Sequence, residues 1–155
     1  MHRFNFKLSS LLDFREYLEQ LARKETALAY KDVKESGRAI KELKQRYKKT
    51  TRALDKKVFN GINSVQLQLF TRYLAAVDHG IVEEKLREKE FKRKLDERIA
   101  RLTEKSIDKK VLEQLKGKKE MEYMEEFRKS EQEIIDEIVS LKKARELNRD
   151  RTSEN

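Results

Sequence analysis

Apolar residues recur along this chain at steps of three and four, the period of an amphipathic helix, and one short stretch interrupts them. From Ser10 the stripe runs through Leu11, Phe14, Leu18, Leu21 and Leu28, with Glu25 as its polar member. It then slips by about one residue and continues as Val33, Ser36, Ile40, Leu43, Tyr47, Thr50 and Leu54, a heptad seam with a local phase adjustment. The break is Phe59-Asn60-Gly61-Ile62-Asn63-Ser64. Gly61 can end a helix in the left-handed conformation, Asn63 can cap the next, and Ile62 with Leu67 has the spacing of a hydrophobic staple. Beyond it Leu67, Phe70, Leu74, Val77 and Ile81 resume the stripe, and Leu95, Ile99 and Leu102 hold a weaker middle into which Ser106 and Lys109 intrude. At the amino end Phe4, Phe6 and Leu8 alternate with polar residues, and Ser10 followed by Asp13 offers a cap.

These signals predict an all-α protein, an antiparallel coiled-coil hairpin with helices over about residues 10–58 and 65–147, a turn at about 59–64 and a polar, disordered tail at 148–155. At 1.5 Å per residue the first helix is about 75 Å long and the second about 125 Å. The second helix therefore overhangs the first. If the hairpin pairs about Gly61, Ser10 faces a residue near Leu112, and chain well past Lys118 has no helix to cover it. Yet that overhang carries Met124, Phe127, Ile134, Ile138 and Leu141 at helical spacing, with Glu131 in the empty slot. An apolar stripe without an internal partner is most simply a docking surface. The alternatives are pairing of two copies, partial cover by Phe4 and Phe6, and a bend at Gly117 that folds the stripe back.

Composition narrows the class. Charged residues make up 43% and apolar residues 37%, with no Pro, Trp or Cys and four Gly, a mixture suited to long helices and not to a thick core. Without Cys there is neither disulfide nor thiolate metal site, and His2 and His79 are too far apart for a local metal motif. No apolar run is long enough for a membrane span, and the amino terminus has no signal-peptide core, so a soluble, unsecreted protein is expected. The net charge of +9 invites a nucleic-acid reading. Over Glu83–Lys94 the signs are interleaved at pairing distance, the pattern of a solvated helix face.

Catalytic chemistry is absent from the pattern. Gly117-Lys118 is no phosphate loop, because the glycine that motif needs would stand at Leu112. There is no cysteine nucleophile, no metal-ligand spacing and no pocket around Glu131, Asp136 and Glu137 to perturb their carboxyls. No enzyme, cofactor or metal is expected.

Two stretches then carry a resemblance. The opening Phe4-Asn5-Phe6-Lys7-Leu8-Ser9-Ser10-Leu11-Leu12-Asp13-Phe14-Arg15-Glu16 resembles the start of the FliJ family of flagellar export proteins. Leu112-Glu113-Gln114-Leu115-Lys116, followed by Glu131-Gln132 and Asp136-Glu137-Ile138, is similar to the same family's later elements, although Gly117 replaces an expected glutamate. The turn at Gly61 and Tyr73-Leu74 also fall where that family has them. The resemblance implies a non-catalytic stalk of the flagellar type III export apparatus that binds the pore of the hexameric export ATPase, promotes its assembly and turnover, and couples it to the export gate. Under it Leu11, Leu12, Arg15, Met124, Phe127, Ile134 and Ile138 contact the ATPase ring, or support that contact. Leu43, Tyr47, Tyr73 and Val77 become candidates for the export gate, with seam packing the other role open to them. It further implies a monomer when free, escort of export chaperones within the family's reach, no nucleic acid, and a cytoplasmic location against the inner membrane at the flagellar base. The competing classes are a basic hairpin that binds nucleic acid and a structural coiled coil that dimerises.

Overall fold

Gly61 turns the chain with a φ of +97°, a conformation open to it because it lacks a Cβ. In the computed structural model, which describes residues 4–153, α1 (Ser9–Asn60) and α2 (Ser64–Ser153) flank the connection Gly61-Ile62-Asn63. The Asn63 Oδ1 accepts the Gln66 N–H at 2.8 Å and the Asn63 carbonyl accepts the Leu67 N–H at 3.1 Å, so Asn63 caps α2 with side chain and backbone together. The start of α1 differs from the expected Ser10 cap. The helix begins one residue earlier, with the Leu8 carbonyl accepting the Leu12 N–H at 2.9 Å and the Phe6 carbonyl accepting that of Ser9 at 3.0 Å. At the other end α2 runs to Ser153, past Leu147, where the apolar pattern stops. His2 and the last two residues of the expected tail lie outside the described residues.

The fold is a two-helix antiparallel coiled coil, with α2 the longer helix at 90 residues against 52. It divides into two compact units, one of Arg15–Ile107 and one of Met1–Phe14 with Asp108–Asn155.

In the Arg15–Ile107 unit the antiparallel register is visible in polar contacts: Glu19 meets Ser106, Thr26 meets the Arg98 carbonyl, and Ser36 meets Glu84. The seam of α1 runs Glu19, Ala22, Thr26, Ala29, Val33 and Ser36, then Ile40, Leu43, Tyr47, Thr50 and Leu54, strictly alternating steps of three and four. That of α2 runs Phe70, Leu74, Val77, Ile81, Glu84 and Glu88, then Phe91, Leu95, Arg98 and Leu102, by the same rule. All but Tyr47 are buried or half-buried. The expected phase slip in α1 does not occur. Phe14, Leu21 and Leu28 stand outside, Leu28 at 64% exposure, while Glu19 and Ala22 are buried in their place. The cause is continuity: the seam from Val33 to Leu54, extended backwards without interruption, lands on small and polar residues, and α2 supplies the bulk opposite them with Phe91, Leu95 and Leu102.

Polar seam residues need partners, because a buried polar group costs stability when left unpaired. Glu19, 3% exposed, accepts from Arg23 Nη2 at 2.8 Å and from Ser106 Oγ at 2.9 Å. Ser36 Oγ donates to Glu84 Oε1 at 2.8 Å. Glu25 binds Arg98 at 2.8 Å beside the seam. Gly80 admits Leu43, whose Cδ1 would lie 3.7 Å from a Cβ added there.

In the other unit Phe6 is buried, with Phe4, Leu12, Leu112 and Leu115 half-buried. The Phe4 ring lies 5.6 Å from that of Tyr123, which stacks on Phe127 at 6.5 Å. The 4–8 segment therefore packs on α2, and a groove of about 620 Å³ separates it from Leu115, Lys119, Glu122 and Glu126.

Candidate docking surfaces

The first surface is the apolar face of α2 beyond the Phe4–Tyr123 contact. Every residue from Arg128 to Glu146 is exposed. Among them Ile134, at 55% exposure, Ile138 and Leu141 share one helix face with the exposed Met124 and the half-buried Phe127. Ile135 and Val139, also exposed, widen that face beyond the stripe the pattern identifies. The period of three and four selects only the centre line of an apolar arc, so its flanking members are missed.

Cover from Phe4 reaches the start of this face, through Tyr123 to Phe127, and the face from Ile134 onward is left to solvent among the described residues. Local pairs keep the surrounding helix soluble. Gln132 donates to Asp136 at 2.9 Å, and Lys119 meets Glu122 at 2.7 Å. The Lys119 hydrogen bond lowers the Glu122 carboxyl below its ordinary range and the lysine is raised in return. Of the remaining residues expected on this surface, Leu11 is exposed and Leu12 half-buried in the same unit. Arg15 is half-buried and belongs to the Arg15–Ile107 unit.

The second surface flanks the turn. Tyr47 and Tyr73 are both partly exposed, and Tyr73 borders a shallow depression with Thr50, Leu69 and Phe70. Val77, 7% exposed, lies in the seam and is not open to a partner, and Leu43 packs against Gly80. Seam packing accounts for both, so the two tyrosines are the exposed members of that set.

Among the described residues no group of three or more His, Asp or Glu could hold a metal ion, and no helix is long and apolar enough to cross a membrane. Charge along the middle of α2 is locally paired, as where Arg93 bridges Glu90 and Glu97. The Arg93 hydrogen bond lowers the Glu90 carboxyl.

An apolar face on a coiled coil names no partner, but the chain as a whole matches a family. Residues 4–148 fit the model of the family described as Flagellar FliJ protein. The chain belongs to the FliJ family. Membership makes it a component of flagellar type III protein export, and it confirms the resemblance carried by the Phe4–Glu16 and Leu112–Ile138 motifs. Among solved structures the FliJ-family chain is similar to one described as "Structure of a putative YscO homolog CT670 from Chlamydia trachomatis", at 18% identity and a TM-score of 0.46 over 90% of this chain and 94% of that one. No curated protein matches the chain.

Proposed function

We propose that this chain is the non-catalytic stalk of the export apparatus, acting in the cytoplasm at the flagellar base. The exposed apolar face of α2 binds the pore of the hexameric export ATPase, and the tyrosines beside the turn bind the export gate. The observation that carries the reading is the run from Arg128 to Glu146, exposed throughout and bearing Ile134, Ile135, Ile138, Val139 and Leu141 on one side. Family membership supports a partner within the flagellar export apparatus.

The mechanism follows from linkage. A ligand that binds an assembled ring better than its free subunits favours the ring, and the ring's population rises with ligand concentration. A two-helix ligand cannot offer six equivalent contacts, so it also biases the subunits around it toward different conformations. Turnover rises while every reacting group belongs to the ATPase.

Replacing Ile134→Asp and Ile138→Asp together puts two charges at the centre of the face without touching the seam. The concentration needed for half-maximal stimulation of the ATPase should rise by about tenfold or more, as for loss of a buried anchor, with the circular dichroism spectrum unchanged. Stimulation equal to that of the natural chain would refute the docking assignment.

A further inference from the structure

The charge of this chain is unevenly distributed. The α1 segment Lys41–Lys57 contains eight basic and two acidic residues, and on the facing helix Arg72 is the one charged residue from Ser64 to Val77. This end of the hairpin therefore carries most of the net charge of +9. Ion pairs are found along α2, beginning at His79 with Glu83, but among the described residues none of the cations of Lys41–Lys57 is in one. Lys57 instead lies over the Phe70 ring, 5.7 Å from its centroid. Because the seam takes only Leu43, Tyr47, Thr50 and Leu54 from this stretch, its cations occupy the remaining faces of α1.

At the apex of this basic end the apolar residues point into water. Phe59 is 92% exposed, and Val58 before it and Val65 beyond the turn are exposed as well. None of the three belongs to the seam, and Phe59 stands one residue before the end of α1. An aromatic so placed contributes nothing to folding and costs solubility.

From these observations we infer that the turn is a lipid-binding tip: Phe59, with Val58 and Val65, enters the interfacial layer of an anionic membrane while the cations of the stretch nearest to it, Arg52, Lys56 and Lys57, hold its headgroups. A convex apolar point within a collar of unpaired cations suits a fluid, negatively charged surface, which accepts an apolar side chain without a preformed pocket and meets charge from every direction. A nucleic acid would use the cations and leave Phe59 in water. An acidic protein would need a groove cut to this tip. The inference needs neither the ring nor the gate, and it adds to the stalk reading a direct contact with the lipid.

The test uses the full chain alone, without ATPase or gate, so that its failure leaves the stalk reading standing. Because the chain has no Trp, Phe59→Trp places one fluorophore at the apex. Vesicles of phosphatidylcholine with phosphatidylglycerol should float the protein and shift the indole emission to the blue, whereas phosphatidylcholine alone should do neither. Phe59→Asp should weaken vesicle binding by about tenfold, and Arg52→Glu with Lys56→Glu by roughly fivefold for each unit of charge lost, with helix content unchanged in both. No flotation on anionic vesicles would overturn the inference. So would flotation with the emission of a water-exposed indole, or displacement from vesicles by an equal charge concentration of duplex DNA or polyglutamate, since each would show binding by charge without insertion.

Discussion

Glu19 shows how a seam tolerates a charge. Its carboxylate is buried, and Arg23 reaches it from one turn along α1 and Ser106 from α2. Truncation to Ala would remove those bonds and strand the Ser106 hydroxyl beside the seam. Glu19→Ala should therefore lower unfolding stability by about 1–3 kcal/mol, read from urea titration by circular dichroism. Ser106→Ala should cost much less in that background than in the natural chain. Equal cost in both would show that the two residues are not coupled. The same stretch explains why residue-level reading of the sequence falls short here. Choosing the largest apolar residues puts Phe14, Leu21 and Leu28 in the seam, yet these are exposed and Ala22 is buried. The signal that finds the true seam is the heptad itself. Counting back in unbroken steps from Ile40 reaches Val33, Ala29, Thr26, Ala22 and Glu19. The intrusion of Ser106 into α2, which reads as a weakness in the sequence alone, is answered by Glu19.

At the scale of elements the turn was legible, and so was the start of α1 to within one residue, but not the groups that hold that start. Gly61 and Asn63 act through local backbone chemistry, which sequence records directly: a positive φ that favours glycine, and a side-chain oxygen within reach of a free N–H. Gly61→Ala should cost about 1–2 kcal/mol, the penalty of a Cβ in the left-handed region, and Asn63→Ala about 1 kcal/mol. Thermal unfolding monitored at the helix band checks both. A Gly61→Ala chain as stable as its parent would mean that the turn has another low-energy conformation. At the start of α1 the accepting groups are the carbonyls of Phe6 and Leu8, so no side chain marks the boundary and Ser10 is a false signal. The glycine at 117 ends nothing, because α2 passes through it.

For the whole molecule, helix periodicity and one break sufficed for the hairpin, and length comparison sufficed to show that α2 outlasts α1. The docking face was legible as a line of residues, Met124, Phe127, Ile134 and Ile138. Its partial cover by the Phe4 segment was legible only as one of several alternatives, because the contact of Phe4 with Tyr123 joins positions far apart in sequence and depends on how the 4–8 segment folds onto α2. Periodicity sets Tyr73 outside the α2 seam, but only exposure separates Tyr47 from Val77, since both fall at seam positions and Tyr47 lies at a half-open one. The basic, apolar-tipped turn is hidden for a different reason: the signs cancel over Glu83–Lys94, the most densely charged stretch, and do not over Lys41–Lys57. The central claim, that this FliJ-family chain is a stalk which favours the assembled ring, is tested most directly by sedimentation of the export ATPase with nucleotide, with and without a substoichiometric amount of this protein. The account predicts more hexamer and co-sedimentation of about one copy per ring, as linkage to a single-site ligand requires. An unchanged distribution of ATPase, with this chain sedimenting alone, would contradict it.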